Sequence, residues 1–239
     1  MEKEICTAVI LAAGQGKRMH SAVQKQYLLL QGYPVLYYSV KAFEESPVDR
    51  IVLVTGAEEQ EYCKKEIVER YGFRKVHKIV TGGKERYHSV YEGLKAAEGA
   101  DYVLIHDGAR PFVTREIIER TLEGARTWGA CVAGMPAKDT IKIIDESGFA
   151  KVTPDRNKVW MVQTPQSFTY PLILDAYRKL VEREMAGEAI GVTDDAMVLE
   201  TVSGKQSRLV EGSYENIKIT TPSDLQIAEV FLKNSIDRE

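Results

Sequence analysis

Short runs of apolar residues alternate with longer amphipathic segments along much of the chain. Apolar runs of about four to eight residues are typical of strands buried on both faces, and apolar positions three and four apart indicate helices that cover a sheet. The predicted strands are Cys6–Leu11, Arg50–Thr55, Lys75–Val80, Tyr102–His106 and Ala130–Ala133, and the predicted helices are Pro34–Glu44, Glu58–Tyr71, Ser89–Ala97 and Thr114–Trp128. This alternation predicts an α/β fold with a Rossmann-like, mostly parallel sheet and helices on both faces.

The alternation changes near residue 137. Asp139–Ile144 and Phe149–Val152 flank a turn sequence, Asp145-Glu146-Ser147-Gly148, which predicts a β-hairpin arm projecting from the sheet over residues 137–158. Beyond it the pattern predicts strands Lys158–Gln163, Arg208–Val210 and Asn216–Ile219, and helices Pro171–Met185, Asp194–Leu199 and Pro222–Lys233. We expect a single domain over residues 1–239, with an arm of a kind that often builds dimers.

Composition places the chain among folded globular proteins. Hydrophobic residues make up 44% and charged residues 28% of its 239 positions, and the formal net charge is only −3. This balance excludes disorder over most of the chain. A slightly acidic chain also argues against nucleic acid as a partner, because nucleic-acid binding usually requires a broad basic surface.

Cysteine usage and hydropathy bear on the compartment. The three cysteines, Cys6, Cys63 and Cys131, are far apart and form no CxxC motif. A disulfide framework and a zinc site are therefore not expected, and a reducing cytoplasm is favoured. We expect no signal peptide, and no run approaches the roughly 18 apolar residues needed to span a bilayer. The sequence thus predicts a cytoplasmic protein without a membrane partner.

Charge is distributed unevenly near the start of the chain. No Asp or Glu occurs in residues 5–43, whereas the same window carries Lys17, Arg18, Lys25 and Lys41. Burial of the first strand and of the first helix explains part of this absence, but the loop between them is polar, basic and free of carboxylates. Such a loop suits a small polyanionic ligand.

The first strand ends in a glycine-rich turn, Ala12-Ala13-Gly14-Gln15-Gly16-Lys17-Arg18-Met19. A dinucleotide fingerprint would need a third glycine or alanine where Met19 stands and an acid about 20 residues later, and a Walker loop would need GK followed by Ser or Thr; neither pattern is present. The small residues instead allow backbone N–H groups to approach phosphates closely. Arg18 and Lys25 would then add positive charge.

Asp107 directly follows the predicted strand Tyr102–His106. Ligands of open α/β sheets bind beyond the carboxyl ends of the strands, so we expect Asp107 to face the glycine turn across one crevice. A lone carboxylate opposite a phosphate-binding turn fits a Mg²⁺ ion that bridges protein and triphosphate. The spacing leaves a second interpretation open, in which Asp107 only caps the turn into Pro111.

Taken together, these motifs and several later ones resemble the 2-C-methyl-D-erythritol 4-phosphate cytidylyltransferases of the non-mevalonate isoprenoid pathway. The matching segments span about residues 7–232 in the family's order: Ala12–Met19, Lys25-Gln26-Tyr27, Gly82-Gly83 with Arg86, Ser89-Val90, His106–Pro111, Asp139-Thr140, Asp155-Arg156, Gln163–Gln166, Thr193-Asp194 and Asn216–Thr220. One position departs from the family pattern, which usually has proline before the Lys-Gln-Tyr triplet, where this chain has Gln24. We expect this change to loosen the loop that carries Lys25.

Ribitol 5-phosphate cytidylyltransferases resemble the chain through several of the same motifs. In that family the turn after the fourth strand more typically reads His-Asp-Ala-Val-Arg-Pro. Gly108-Ala109, Asp155-Arg156-Asn157 and Trp160 favour the methylerythritol family, although both acceptors are short polyol phosphates.

The resemblance implies transfer of CMP from CTP to a polyol phosphate, with release of pyrophosphate and with Mg²⁺ as cofactor. It implies catalytic roles for Arg18, Lys25, Arg156 and Lys218, metal binding by Asp107, and nucleotide binding by Ala12, Ala13, Gly14, Gly16, Gly83, Ser89, Asp107 and Gly108. It implies acceptor binding by Asp107, Arg110, Thr140, Arg156, Thr164 and Lys218. In the family, the arm residues that match Thr140 and Arg156 reach into the partner subunit's site, which implies a homodimer.

Taken singly, several of these residues have plainer explanations. Arg156 in a loop is most often surface charge, Lys218 on a predicted strand is most often a solvent-facing lysine, and Thr140 is a common strand residue. The four histidines are expected to be structural, with His106 packing beside Asp107. A catalytically silent nucleotide-binding protein therefore stays open as an alternative to an enzyme, as does ribitol 5-phosphate as the acceptor.

Overall fold

The computed structural model describes residues 3–14, 16, 19 and 23–236. Its strands are β1 (Cys6–Ala12), β2 (Leu29–Leu30), β3 (Tyr33–Pro34), β4 (Arg50–Thr55), β5 (Val76–Thr81), β6 (Tyr102–Asp107), β7 (Ala130–Pro136), β8 (Ile143–Ile144), β9 (Ala150–Val152), β10 (Trp160–Thr169) and β11 (Arg208–Glu211). Its helices are α1 (Val35–Glu44), α2 (Gln60–Tyr62, continued as a π-helix over Cys63–Glu69), α3 (Arg86–Ala96), α4 (Arg115–Trp128), α5 (Tyr170–Met185), α6 (Asp195–Ser203) and α7 (Pro222–Ile236), with short 3₁₀ helices at Lys25–Tyr27 and Arg156–Lys158. No helix among the described residues is both long and apolar enough to cross a membrane.

The central sheet contains seven strands among the described residues, in the order β11-β7-β10-β6-β1-β4-β5. Neighbouring strands are parallel except where β10 is involved, because β10 runs antiparallel to both β6 and β7. The chain passes from β1 to β4 and β5 on one side and then returns to β6 on the other side of β1. A ligand crevice is therefore expected beyond the carboxyl ends of β1 and β6, where the strand order reverses. The prediction of a mostly parallel α/β sheet is confirmed.

Alternate residues of β1 enter hydrophobic cores on the two faces of the sheet. Ile10 packs in one core with Phe43 of α1. Val9 packs in the other with Leu94 of α3 and Tyr177 of α5. All of these side chains are fully buried, and burial of each contributes about 1.5–3 kcal/mol. Helices cover both faces because strand side chains alternate with a period of two.

The predicted hairpin arm is present as the antiparallel pair β8 and β9, with shorter strands than the sequence indicated. The side chain of Asp145 closes its turn by accepting hydrogen bonds from the backbone N–H groups of Ser147 and Phe149. Apolar side chains of the arm are not covered by the rest of the described chain: Ile144 is 61% and Phe149 is 75% exposed.

The predicted strand Asn216–Ile219 is wrong. This segment pairs with none of the described strands. Its backbone hydrogen bonds do not form a strand ladder. Asn216 N–H donates to Ser213 O within the same turn, and Ile219 N–H makes one isolated bond to Ala109 O. Ile219 is fully buried against α7 and the turn after β6. The apolar positions that suggested a strand therefore come from packing beneath a helix.

Element boundaries differ where local bonds or burial override the pattern. Helix α3 begins at Arg86 rather than Ser89, because Glu85 and His88 cap it reciprocally through side-chain and backbone groups. Strand β10 continues beyond Gln163 because residues 163–168 are all buried between β6 and β7. The long helix predicted from Glu58 to Tyr71 contains the π-helical stretch, which the apolar spacing did not indicate.

Candidate active site

The glycine turn after β1 is held in shape by Gln26. This side chain is 2% exposed, and its Nε2 donates to the carbonyl oxygens of Ala12 at 2.6 Å and Gly14 at 3.1 Å. Gly16 has a φ of +62°, a left-handed conformation that glycine adopts at little cost. Ala13, Gly14 and Gly16 line a cavity beyond the carboxyl end of β1.

Lys25 lies in the 3₁₀ helix beside this turn and lines the same cavity. Its Nζ donates to the carbonyl oxygen of Ile219 at 2.9 Å. A Cβ at position 16 would lie 3.3 Å from Cγ and from the backbone nitrogen of Lys25, so glycine at this position lets the turn and the lysine pack closely. Arg18, the second cation predicted here, lies outside the described residues.

The loop after β5 contributes another wall of the cavity. Ser89 Oγ accepts a hydrogen bond from Gly83 N–H at 3.1 Å. A Cβ at Gly82 would lie 2.6 Å from both Ala13 Cβ and Ser89 Oγ, so only glycine permits this approach of the loop to the β1 turn. Ala13, Gly83 and Ser89, which the sequence assigned to one nucleotide site, therefore line one cavity.

Gly108 packs behind this cavity. Its N–H donates to Leu11 O at 2.8 Å and its carbonyl accepts from Ser39 Oγ at 3.1 Å. A Cβ at position 108 would lie 2.8 Å from Leu11 O. The glycine thus allows the turn after β6 to pack on β1. Ala12 is also buried, with 1% of its surface exposed, so contact of either residue with nucleotide stays a prediction.

Asp107 is the centre of a charge cluster at the end of β6. Lys218 Nζ lies 2.7 Å from its Oδ2, Arg86 Nε lies 3.3 Å from its Oδ1, and Arg110 Nε lies 3.9 Å from its Oδ2. Burial favours the neutral acid, but the cations Arg86, Lys218 and Arg110 outweigh burial and hold the pKa of Asp107 well below its usual range. The side chain is therefore an ionised carboxylate.

The turn into Pro111 does not depend on the Asp107 carboxylate. That turn is closed by a backbone bond, in which Arg110 N–H donates to Asp107 O at 2.9 Å. The carboxylate instead faces the three cations. Of the two interpretations left open by the sequence, the ligand-facing one fits this geometry.

His106 is a buried, neutral imidazole directly behind Asp107. Burial lowers the pKa of His106 to about 3. Its Nε2 lies 3.2 Å from Arg110 O, which can only accept, so we assign the ring proton to Nε2. Nδ1 then accepts from Thr164 Oγ1 at 3.0 Å, and that oxygen accepts from Asp107 N–H at 3.1 Å. This chain of bonds fixes the backbone of Asp107, and contact of Thr164 with an acceptor stays a prediction.

Arg86 connects Asp107 to helices α5 and α6. Its Nη1 and Nη2 lie 2.8 Å and 2.9 Å from the two carboxylate oxygens of Asp195, while its Nε faces Asp107. Tyr177 OH donates to Asp195 Oδ1 at 2.5 Å. Asp195 and Tyr177 are fully buried. A bidentate pair of this kind fixes the orientation of the guanidinium as well as its position.

Two cavities meet at this cluster. The β1-side cavity, of about 670 Å³, is lined by the glycine turn, Lys25 and the loop after β5. The β10-side cavity, of about 610 Å³, is lined by residues of β10, α6, β11 and the segment before α6, including Gln163, Thr164, Gln166, Thr193 and Asp194, together with Arg110. Arg86, Asp107 and Lys218 line both cavities. A ligand in one cavity can therefore meet a ligand in the other across these three charged side chains.

Thr140 and Arg156 do not join the other predicted site residues within this chain. Both are exposed, and neither lines the β1-side or the β10-side cavity. Arg156 Nη1 donates to Lys138 O at 3.0 Å at the base of the arm. The structure thus brings together Lys25, Asp107, Arg110, Thr164 and Lys218, and leaves the two arm residues apart from them.

The donor set at Asp107 fits a magnesium ion held jointly by protein and phosphates. Among the described residues, no group of three or more His, Cys, Asp or Glu side chains is arranged to hold a metal. Mg²⁺ does not require such a cage, because it commonly takes one or two protein carboxylates and completes its octahedron with phosphate oxygens and water. Asp107 supplies one ionised carboxylate at the boundary of both cavities.

Several residues that shape the site were not singled out from the sequence. Gln26 and Arg86 lay inside recognised segments but carried no assigned role, and Asp195 follows the matched Thr193-Asp194 pair. Tyr177 gave no signal, because an aromatic residue on the apolar face of a helix is usually a core residue. The signal that could have identified Gln26 and Arg86 is that both are polar residues inside segments that match the family.

Comparison with known proteins gives a consistent result along the whole chain. Residues 6–234 match the family model of IspD, 2-C-methyl-D-erythritol 4-phosphate cytidylyltransferase. The protein of that name from Clostridium kluyveri is 53% identical over 227 residues, covering 95% of this chain and 96% of the relative. The one from Lachnoclostridium phytofermentans is 49% identical over 237 residues, covering 99% of each chain.

Solved structures extend the likeness to three dimensions. The crystal structure of 4-diphosphocytidyl-2C-methyl-D-erythritol synthase from Anaerococcus prevotii superposes with a TM-score of 0.83 at 33% identity, covering 96% of each chain. The resemblance inferred from the motifs is thereby confirmed, and the methylerythritol family is favoured over the ribitol family. The chain belongs to the 2-C-methyl-D-erythritol 4-phosphate cytidylyltransferase family.

Proposed function

We propose that this protein transfers CMP from CTP to 2-C-methyl-D-erythritol 4-phosphate, giving 4-diphosphocytidyl-2-C-methyl-D-erythritol and pyrophosphate. Besides family membership, one observation carries the proposal: two cavities meet at a shared wall of Asp107, Arg86 and Lys218. A two-substrate group transfer needs this arrangement, because the reacting phosphates must meet while the rest of each substrate is held separately.

The nucleotide occupies the β1-side cavity, where backbone groups of the glycine turn and Gly83 face the ligand and Lys25 supplies positive charge. The acceptor occupies the β10-side cavity, whose lining is rich in hydroxyl, amide and carboxylate groups suited to a polyol. Arg110 and Lys218 face the acceptor phosphate. This assignment brings the α-phosphate of CTP and the acceptor phosphate together where the two cavities meet, beside Arg86, Asp107 and Lys218.

An oxygen of the acceptor phosphate attacks the α-phosphorus of CTP and forms a new P–O bond. The bond between the α-phosphorus and the oxygen that bridges it to the β-phosphate breaks, and that oxygen leaves with pyrophosphate. The attacking phosphate is ionised at neutral pH, so no general base is required. The barrier is electrostatic, because two polyanions must approach and negative charge grows at the α-phosphate. Lys25 and Lys218 offset that charge with preorganised cations, and the resemblance adds Arg18 as a third cation.

Asp107 is the residue that would hold Mg²⁺. A bound Mg²⁺ supplies Lewis-acid polarisation of the triphosphate and neutralises part of its charge. Asp107 itself contributes a carboxylate that stays ionised, while Arg86 and the Thr164–His106 bonds fix its orientation. Lys218 Nζ lies 2.7 Å from Asp107 Oδ2. If that oxygen also bound Mg²⁺, the lysine could turn toward a phosphate.

We infer further that the chain forms a single domain whose residues 137–158 pair two copies into a homodimer, in the cytoplasm. Exposed apolar side chains of the arm support this, including Ile143, Ile144 and Phe149. Thr140 and Arg156 would then act in the partner's β10-side cavity. The three buried free thiols, Cys6, Cys63 and Cys131, are consistent with a reducing compartment.

The test is a side-by-side pyrophosphate-release assay with CTP, Mg²⁺ and either 2-C-methyl-D-erythritol 4-phosphate or ribitol 5-phosphate. We expect turnover with the first acceptor and a loss of about a hundredfold in kcat for Lys25→Ala. Lys65→Ala is the matched control, since Lys65 is exposed and pairs with Glu61 on the surface. Preference for ribitol 5-phosphate would overturn the acceptor assignment, and CTP binding without pyrophosphate from either acceptor would indicate a silent nucleotide-binding protein.

A further inference from the structure

Gln24, the residue before Lys25, links the 3₁₀ helix Lys25–Tyr27 to the start of helix α2. Its Nε2 donates to the carboxylate of Glu59. Its Oε1 accepts from Gln26 Nε2 at 2.6 Å. Glu59 is the residue that precedes α2. The side chain of Gln24 therefore joins a helix on one side to Gln26 on the other.

Gln26 continues this connection to the wall of the β1-side cavity. The same Nε2 lies 2.6 Å from both Gln24 Oε1 and Ala12 O and 3.1 Å from Gly14 O. Because the amide has two N–H groups, the longer contact to Gly14 O shares one of them. The bonds thus run without interruption from Glu59 through Gln24 and Gln26 to the carbonyl oxygens of the glycine turn. Lys25 lies between the two glutamines, so displacement of Gln24 acts on both the turn and the lysine.

Glu59 reaches Gln24 because position 56 has no side chain. A Cβ at Gly56 would lie 1.9 Å from Glu59 Oε2 and 3.0 Å from its Cδ. Glu59 N–H donates back to Gly56 O at 3.3 Å, so the chain turns sharply just before the helix. The glycine therefore leaves room for the carboxylate to fold back over this turn.

The backbone of Gln24 is compatible with proline. Its φ of −63° and ψ of 141° match the φ near −65° that a pyrrolidine ring imposes. A ring at this position would restrict the backbone covalently. Gln24 holds the same conformation through side-chain bonds, so the looser loop expected from the sequence does not follow.

We propose that Gln24 and Glu59 are positioning residues, which hold Gln26 on the glycine turn and so set the shape of the nucleotide cavity and the place of Lys25. Neither residue lines the β1-side cavity, so they act through Gln26 and Lys25. The kinetic consequence rests on the proposed cytidylyl transfer; the effect on the turn itself does not.

The experiment compares Gln24→Ala, Glu59→Ala and Gly56→Ala, since the last displaces the Glu59 carboxylate without removing any partner. In each we expect CTP affinity, measured by calorimetry without acceptor, to fall about tenfold, and KM for CTP to rise while KM for the acceptor stays unchanged. Amide hydrogen exchange of the peptide covering residues 12–16 should become faster in the unliganded variants. Gln24→Pro should restore affinity and protection, because the ring replaces the lost bonds.

Gln60→Ala is the matched control, because Gln60 is the next residue after Glu59 and its Nε2 donates to the hydroxyl of Thr81, away from Gln24 and Gln26. Wild-type CTP affinity and exchange in both Gln24→Ala and Glu59→Ala would overturn the proposal. So would equal losses in Gln60→Ala, which would indicate general disturbance of α2. If the wild-type chain releases no pyrophosphate, the proposed function fails, and the exchange rates of residues 12–16 still decide this inference.

Discussion

Lys218 Nζ lies 2.7 Å from Asp107 Oδ2, and this ion pair joins the segment before α7 to the end of β6. The other carboxylate oxygen, Oδ1, faces Arg86 Nε at 3.3 Å. Each oxygen of Asp107 therefore meets a different cation. The carboxylate lies across the boundary between the β1-side and β10-side cavities, and a metal ion or a phosphate entering there must rearrange an existing charge balance.

Asp107→Asn should lower kcat/KM for CMP transfer by about a hundredfold or more. The amide cannot balance Arg86, Arg110 and Lys218, and it provides a much weaker ligand for Mg²⁺. Pyrophosphate release at saturating Mg²⁺ measures the effect. Asp175→Asn is the control, because Asp175 is a half-buried helix residue paired with Lys179 and lines neither cavity. Turnover of Asp107→Asn at the wild-type rate would remove this carboxylate from the mechanism.

The free energy of unfolding should fall as the pH drops below about 6.5, the ordinary pKa of histidine. His106 has a folded pKa of about 3, so between these values the unfolded chain binds a proton that the folded chain does not. The contribution of the neutral His106 to the free energy of unfolding is fully present above the unfolded pKa. Below that pKa it declines by about 1.4 kcal/mol per pH unit.

Denaturant unfolding between about pH 7 and about pH 5 measures this slope above the range in which carboxylates titrate. His106→Gln should flatten the slope, and His77→Gln, at an exposed position, is the matched histidine control. An identical slope in wild type and His106→Gln would contradict the assignment of a neutral buried imidazole.

Asp195→Asn should reduce the free energy of unfolding by about 3 kcal/mol, because it removes the fully buried, bidentate counter-ion of the half-buried Arg86 guanidinium. Tyr177→Phe removes only the hydroxyl that donates to Asp195 and should cost about 1 kcal/mol. Because the residues touch, the double variant should show less than the sum of the two effects. Chemical denaturation checks all three values, and a change within about 0.5 kcal/mol for Asp195→Asn would indicate an uncoupled surface pair.

Arg156→Ala and Lys25→Ala should each be inactive alone but should complement each other when mixed. If the arm serves the partner subunit, one site of each mixed dimer contains an intact Lys25 and an intact Arg156. Random exchange of subunits then restores about a quarter of wild-type activity. Activity that stays at the level of the separate variants after verified exchange would mean that Arg156 acts within its own chain or in neither.

Much of the sheet could be predicted because its strands are continuous apolar runs. Arg50–Thr55 was predicted with the observed bounds, and the helix predicted over Thr114–Trp128 is α4, which Thr114 caps by accepting from Ile117 N–H through its hydroxyl. These features depend on residues that are close in sequence. Asn216–Ile219 misled the prediction, because burial beneath α7 produces the same apolar alternation as a strand.

The site was only partly predictable for a related reason. The glycine turn and Asp107 could be placed at the carboxyl ends of two strands, β1 and β6, so their meeting across one crevice followed from topology. The Arg86–Asp195 pair could not be derived, because the first turns of α3 and α6 come together only once the helices pack on the sheet. At Gln24 the family pattern predicted a looser loop, because proline usually stands there. Nothing in the sequence indicated that the Gln24 side chain bonds Glu59 and Gln26, which restrain the loop in place of the ring.

Strand β10 enters the sheet in the reverse direction, so its beginning lies beside the carboxyl ends of β6 and β7. The arm ends immediately before this strand, and only a few residues separate it from Gln163 and Thr164 behind Asp107. The β8–β9 hairpin and the strand that lines the β10-side cavity are therefore consecutive along the chain, separated by the short 3₁₀ helix Arg156–Lys158. A displacement of the hairpin would act on that cavity through the start of β10, without passing through any other element of the fold.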